Sequence, residues 1–287
     1  MHKLPIRLAL LEDAARILLV FFVLVGLVAG CAEAQADRTA YLGFDRNLYP
    51  GDANLKALHQ TFSYTGYWLN VPPGEKTNTW TGHRAAVESA GFGFLVLFNG
   101  RLFAQLKSET HAARLGKSDA QAAISTAQRE GFPRSTIIFL DQEQGGRMLP
   151  EQNAYIFAFV DGVTAAGFRA GIYCSGMRSV DSEKVITAED IQQNAGKRNI
   201  VYWVTNDACP PSPGCAFAKP PIPAQSGVNF AEVWQFAQSP QRKDVAAHCT
   251  NYSRNGSCYP PGVAPSEGLY VDLNTATSPD PSHGRTR

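Results

Sequence analysis

Eight short β-rich apolar runs, the first six separated by helix-like segments, constrain the possible folds of this chain more than any other feature. They are Tyr41–Asp45 (YLGFD), Tyr64–Asn70 (YTGYWLN), Phe92–Phe98 (FGFLVLF), Thr136–Asp141 (TIIFLD), Ala170–Cys174 (AGIYC), Ile200–Thr205 (IVYWVT), Glu232–Phe236 (EVWQF) and Leu269–Leu273 (LYVDL). Helices are expected at about 54–61, 80–90, 118–130, 151–166 and 188–195. Asp52, Thr79, Ser118 and Thr187 are candidate N-caps, and Gly91, Gly131, Gly167 and Gly196 stand just past the ends. Strands alternating with helices are βα units around a parallel sheet. After Thr205 the helical pattern stops, and ten of the eighteen prolines fall between Pro210 and Pro265. Proline removes an amide donor, so these connections are expected to be loops. The expected fold is therefore α/β: an irregular TIM-like (β/α) barrel with five βα units followed by three strands lacking helices. An open doubly wound sheet is the rival. The Arg46–Gly51 turn (RNLYPG) lacks the glycine-rich phosphate loop that such a sheet would carry there.

The segment before the first strand reads differently. Lys3, Arg7 and Arg16 precede the apolar run ILLVFFVLV at 17–25, the pattern of an export signal. The whole run, about 14 residues, is shorter than the ~20 needed to span a bilayer. Val28-Ala29-Gly30-Cys31 resembles a lipobox, in which Cys31 is lipidated and the chain is cut in front of it. Ordinary cleavage after Ala32-Glu33-Ala34 is the alternative. The expected organisation is a signal at 1–30, a linker at 31–38, the barrel at 39–275 and a disordered polar tail at 276–287. An exported protein is expected in the cell envelope, lipid-anchored, or else periplasmic or secreted. Export also permits disulfides. Cys209 with Cys215, and Cys249 with Cys258, are close enough in sequence to close two small rings, free thiols being the alternative.

The chain carries 26 Lys+Arg against 25 Asp+Glu, and its first 30 residues hold three and two of these, so the remainder is balanced. Without a basic stripe, a nucleic-acid partner is not expected. In a barrel of this kind, chemistry gathers at the C-terminal strand ends, and carboxylates stand there. Asp45 ends the first run, Asp141 and Glu143 end the fourth, and Asp272 lies near the end of the eighth. Two residues apart, Asp141 and Glu143 would share a face with Cα atoms about 6.6 Å apart if the strand continues. Closure would bring Asp45 beside Asp272. Crowded carboxylates raise one another's pKa, and a protonated acid beside ionised ones is what glycosidic cleavage requires. A strand-end Asp is also often a cap or an ion-pair partner, and a carboxylate cluster can hold a divalent cation. No metal site and no cofactor are expected, because no strand-end His or phosphate-binding signature accompanies the acids.

Trp68, Tyr173, Trp203, Trp234 and Gln235 are candidate substrate contacts, since aromatic faces and amides suit sugars. Tyr67, Phe98 and Tyr202 lie on the same runs, and strand aromatics are also commonly core. No G-x-S-x-G elbow occurs, and Cys174, inside an apolar run, is expected to be a buried thiol.

GFD at 43–45, FLDQE at 139–143, WQF at 234–236 and YVDLN at 270–274, in that order along the strands, resemble the family-25 glycoside hydrolases of muramidase type. GYWLN at 66–70, GIYCSG at 171–176 and the final VDLN are similar to a related bacterial glycoside hydrolase-like domain of unknown function. The resemblance spans about residues 39–275. It implies cleavage of the β-1,4 bond after N-acetylmuramic acid in peptidoglycan, and a monomer is expected. Glu143 would be the general acid, Asp141 would stabilise the oxazolinium or oxocarbenium centre, and Asp45 and Asp272 would orient groups and tune charge. In that family the sugar's own acetamido group is thought to act as nucleophile. The strand-two and strand-three ends depart from the polar pattern of muramidases, so a barrel that binds glycan or a partner at the cell envelope without cutting is the alternative function.

Overall fold

The structure, a computed structural model, describes residues 40–180, 183–206, 220–237, 269 and 271–286. The expected signal and the lipidation candidate Cys31 lie outside the described residues. So do both expected disulfides: Cys209 and Cys215 fall in one stretch outside the described residues, and Cys249 and Cys258 fall in another. Among the described residues there is no disulfide, and the one cysteine there, Cys174, is a free buried thiol, as expected. The two pairings expected for Cys209 with Cys215 and for Cys249 with Cys258 therefore gain no support from the structure. The chain divides at Arg38/Thr39, and the unit from Thr39 to Arg287 contains every element below.

Eight strands close one barrel in chain order. They are β1 (Tyr41–Asp45), β2 (Tyr64–Trp68), β3 (Gly93–Asn99), β4 (Ile137–Asp141), β5 (Arg169–Ser175), β6 (Ile200–Thr205), β7 (Ala231–Ala237) and β8 (Asp272–Ala276). Strands β1 to β7 run parallel to one another, as the βα alternation predicts. Strand β8 differs. It was expected at 269–273, begins instead at Asp272, and runs antiparallel to both β7 and β1. An antiparallel β8 enters from the end at which β7 finishes, so no returning helix is needed between them.

Among the described residues, five helices cover the outside: α1 (Asp52–His59), α2 (Arg84–Ser89), α3 (Glu109–Glu130), α4 (Pro150–Ala165) and α5 (Thr187–Asn194). All five expected helices are present. Helix α3 starts about two turns earlier than expected, where Ser108 Oγ accepts from the His111 amide. Ser118 is therefore interior to the helix, and Gly131 ends it with the left-handed φ of 83° that only glycine adopts without strain. The early start follows from packing, because Ala112, Gly116, Asp119, Ala120 and Ala123 form a buried face of small residues, and Gly116 packs against α4.

The barrel interior is filled by matching large and small residues. A Cβ on Gly43 would sit 2.2 Å from the Tyr64 ring, and one on Gly171 would sit 2.4 Å from the Phe139 ring. Both rings are fully buried, and Phe139 meets Trp203 edge-on at 5.9 Å. This layer is the solid floor on which the strand-end residues stand.

The expected disordered tail is corrected by the structure. Strand β3 begins at Gly93, whereas β4 begins at Ile137 and pairs from Val96↔Ile138 upward, so the foot of β3 has no β4 partner. The chain leaving β8 fills that gap. Asp280 Oδ1 accepts from the Phe94 amide, and Ser282 Oγ accepts from the Val96 amide, each at 2.8 Å. The Ser282 carbonyl accepts from Ile137 N, its amide donates to Phe94 O, and Arg84 Nη2 donates to Gly284 O at 2.7 Å. Composition marks residues 276–287 as polar, but composition does not register backbone groups at the bottom of the barrel that need partners.

Candidate active site

The expected carboxylates meet at one end of the barrel, in a cleft of about 170 Å³ that all four line. Asp45 closes β1, and Asp272 opens β8 directly opposite it in register. Asp141 closes β4 beside Asn99 of β3. Glu143 stands two residues further on, past the end of the strand, and is exposed toward the cleft. The placement of Asp272 depends on the reversal of β8, since the first residue of an antiparallel strand lies level with the last residue of its parallel neighbours.

Two carboxylates opposite each other on adjacent strands repel, and an amide lies between them. Gln235 Nε2 donates to Asp45 Oδ2 at 3.0 Å and to Asp272 Oδ2 at 3.4 Å. Asn274 Nδ2 donates to the same Asp45 oxygen at 2.8 Å. The Asp45 carboxyl is pushed up to about 6, by burial above all and by the charge of Glu143, with the Asn274 and Gln235 amides pulling the other way. Asp141 has a different environment. Both of its side-chain oxygens are buried and accept no hydrogen bond. Burial above all, then the charges of Glu143 and Asp45, hold it well above the usual carboxylate range. The site thus separates one donor-supported carboxylate from one bare carboxyl that favours its proton.

The aromatic candidates divide by strand parity. Trp68, Tyr173 and Trp203 line the cleft. Tyr173 and Trp203 meet at 4.5 Å between ring centroids, and the Tyr173 hydroxyl donates to Gln235 Oε1 at 2.9 Å. Trp234 does not line the cleft. It sits on the face of β7 opposite Gln235, with Nε1 donating to the Asn206 carbonyl. Tyr67, Phe98 and Tyr202 also turn outward, against Trp80, Phe159 and Phe230 respectively.

Asn274 is the site residue that the sequence reading passed over, although VDLN contains it. The signal was available, because Asn274 is two residues after Asp272 and must share its face. Asn47, whose Nδ2 donates to Pro73 O at 2.8 Å, also lines the cleft and carries no such pattern. Among the described residues no group of three or more His, Cys, Asp or Glu side chains is arranged to hold a metal ion. A larger groove of about 740 Å³ lies outside the barrel between α3 and α4. Its Arg198 and Asp161 are paired to each other, so it offers packing surface rather than converging acids.

A closed barrel with acids at one mouth is glycoside hydrolase-like in fold, and the comparisons with known proteins agree. Residues 75–210, which include Asp141, Glu143, Tyr173 and Trp203, match the family model of the Rv2525c-like, glycoside hydrolase-like domain. An uncharacterized B. stearothermophilus protein shares 18% identity at a TM-score of 0.52, with 82% of this chain and 95% of that one covered. GHIP, described as a glycosyl hydrolase 25 of Streptococcus pneumoniae, shares 14% identity at a TM-score of 0.50, with 82% and 86% covered. The Mycobacterium tuberculosis Tat-secreted protein Rv2525c shares 13% identity at a TM-score of 0.47, with 85% and 97% covered. No curated protein matches the sequence.

Proposed function

We propose that this protein is an exported glycoside hydrolase that cuts β-1,4 bonds of peptidoglycan or a related glycan by carboxylate acid/base chemistry. The observation that carries the reading is the convergence of Asp45, Asp141, Glu143 and Asp272 on one cleft walled by Trp68, Tyr173 and Trp203. The cleft is smaller than the ~300–1,000 Å³ of pockets that enclose a whole ligand. That size suits one ring of a polymer that continues over the rim.

In this reading Glu143, the acid exposed to the cleft, protonates the leaving oxygen. Asp141 has no donor of its own, and the acetamido N–H of the bound sugar supplies one. That contact favours ionised Asp141 next to the positive charge developing at the reacting carbon. The repulsion between Asp141 and Glu143 is reciprocal, so ionising Asp141 favours the proton on Glu143, where it is needed. Asp45 and Asp272 set the charge below. The test is release of soluble, newly reducing fragments from purified peptidoglycan. Undiminished polymer in the presence of tight glycan binding would instead make the barrel a binding protein.

Export and lipid attachment at Cys31 belong to the same proposal and rest on the apolar run and the lipobox-like VAGC. Mass spectrometry of the mature protein is expected to find a lipid-modified N-terminus at Cys31. An unmodified N-terminus at Gln35 would contradict lipidation while leaving export standing.

A further inference from the structure

Asp45, at the floor of the cleft, accepts from two side-chain amides whose orientation is fixed by what their other neighbours can donate. We propose that Asn274 and Gln235 are positioning residues that hold Asp45 as a carboxylate with amide donors aimed at it, and that Trp203 and Tyr173 fix this orientation from the far side of each amide.

The donor inventory carries the argument. An indole N–H can only donate. Trp203 Nε1 lies 2.9 Å from Asn274 Oδ1, so the Asn274 carbonyl must face Trp203 and its NH₂ must face Asp45, 2.8 Å away. The second arm follows the same logic in reverse. The Gln235 NH₂ lies against oxygens of Asp45 and Asp272, which leaves Oε1 for the Tyr173 hydroxyl. Burial keeps that hydroxyl protonated and therefore able to donate. Each amide is thus anchored by an aromatic residue of the cleft wall, on β6 and β5 respectively. Neither can turn its carbonyl toward Asp45 without breaking a buried hydrogen bond.

The consequence concerns the proton on Asp141. The titratable groups facing Asp45 are Asp272 from β8, Asp141 and Glu143 from β4 and the loop after it, Tyr64 from β2 and Tyr173 from β5. With amide donors on Asp45 and none on Asp141, negative charge favours Asp45, and that charge helps keep the bare Asp141 protonated. Trp203 and Tyr173 therefore act on the acid pair through the amides, in addition to any contact with sugar. This deepens the hydrolase reading and rests on it for its kinetic consequence alone.

The test is a titration of the aspartate side-chain carboxyls by ¹³C NMR in the free protein, where turnover is not needed. Wild-type Asp45 should titrate near 6. Trp203→Phe keeps the ring but frees the Asn274 amide to turn, and should raise the Asp45 midpoint by about one pH unit. Tyr173→Phe should raise it in the same direction through Gln235, and reads the second arm if the first variant does not fold. Trp68→Phe also removes an indole from the cleft wall, but its N–H donates to the Arg46 carbonyl, so the Asp45 midpoint should stay where it is. Unmoved midpoints in both Trp203→Phe and Tyr173→Phe, or an equal shift in Trp68→Phe, would overturn the proposal. If the midpoints shift as stated while the wild type cuts no glycan, the relay stands and the hydrolase reading falls.

Discussion

Glu143→Gln is expected to lower glycan turnover by about 10²–10⁴-fold, the range typical of losing a general acid. The amide keeps the shape and most of the hydrogen-bonding capacity of the acid but has no proton to give. Glycan binding should therefore survive, and the loss should appear in kcat rather than KM. Stability should barely change, because Glu143 is exposed to the cleft rather than packed in the core. That separates its role from that of Asp45 and Asp141, which are buried and whose replacement would alter folding and chemistry together. A Glu143→Gln protein that binds and cuts like the wild type would remove Glu143 from the mechanism. Kinetics with thermal denaturation on the same sample makes the distinction.

Deleting residues 278–287 is expected to have the largest effect on stability. The segment supplies the acceptors for the Phe94, Val96 and Ile137 amides at the bottom of the barrel, and the carbonyl that receives buried Arg84. Leaving a buried donor unpaired costs ~1–3 kcal/mol, so three amides together are worth about 3–9 kcal/mol. Folded domains have only ~5–15 kcal/mol of stability in total. The shortened protein should lose on the order of 10 °C in melting temperature or fail to accumulate as folded protein. A melting temperature equal to wild type would mean that the segment is the dispensable tail its composition suggests. Asp280→Ala with Ser282→Ala removes two of the acceptors and should give an intermediate loss.

These expectations show which parts of the molecule local sequence determines. Strands β1 to β7 and the five helices are legible because each buries a face whose period is written in its own residues. Asp45, Asp141 and Glu143 are legible because the end of a parallel strand in a barrel is a defined place, whereas Asp272 reaches the same mouth by opening a reversed strand. The direction of β8 is not, since LYVDL reads equally well in either direction, and only closure against β1 and β7 decides it. The strap at 278–286 is hidden for a similar reason, because its partners lie almost 200 residues earlier on β3. Within the site, Trp234 and Gln235 are adjacent in sequence and face opposite ways. A one-residue shift of register would have exchanged them. Asn274 is invisible as chemistry until Trp203 is known to face it, although its parity with Asp272 could be read directly.

The central claim is that the cleft cuts glycan, and the most direct measurement of it is the chemistry of the ends. Purified wild-type protein is incubated with peptidoglycan, the soluble fraction is reduced with borohydride, and the fragments are identified by mass spectrometry beside a Glu143→Gln control. The account predicts fragments ending in reduced N-acetylmuramic acid with the wild type and none with the variant. Intact polymer with both proteins, each binding it equally well, would contradict the account.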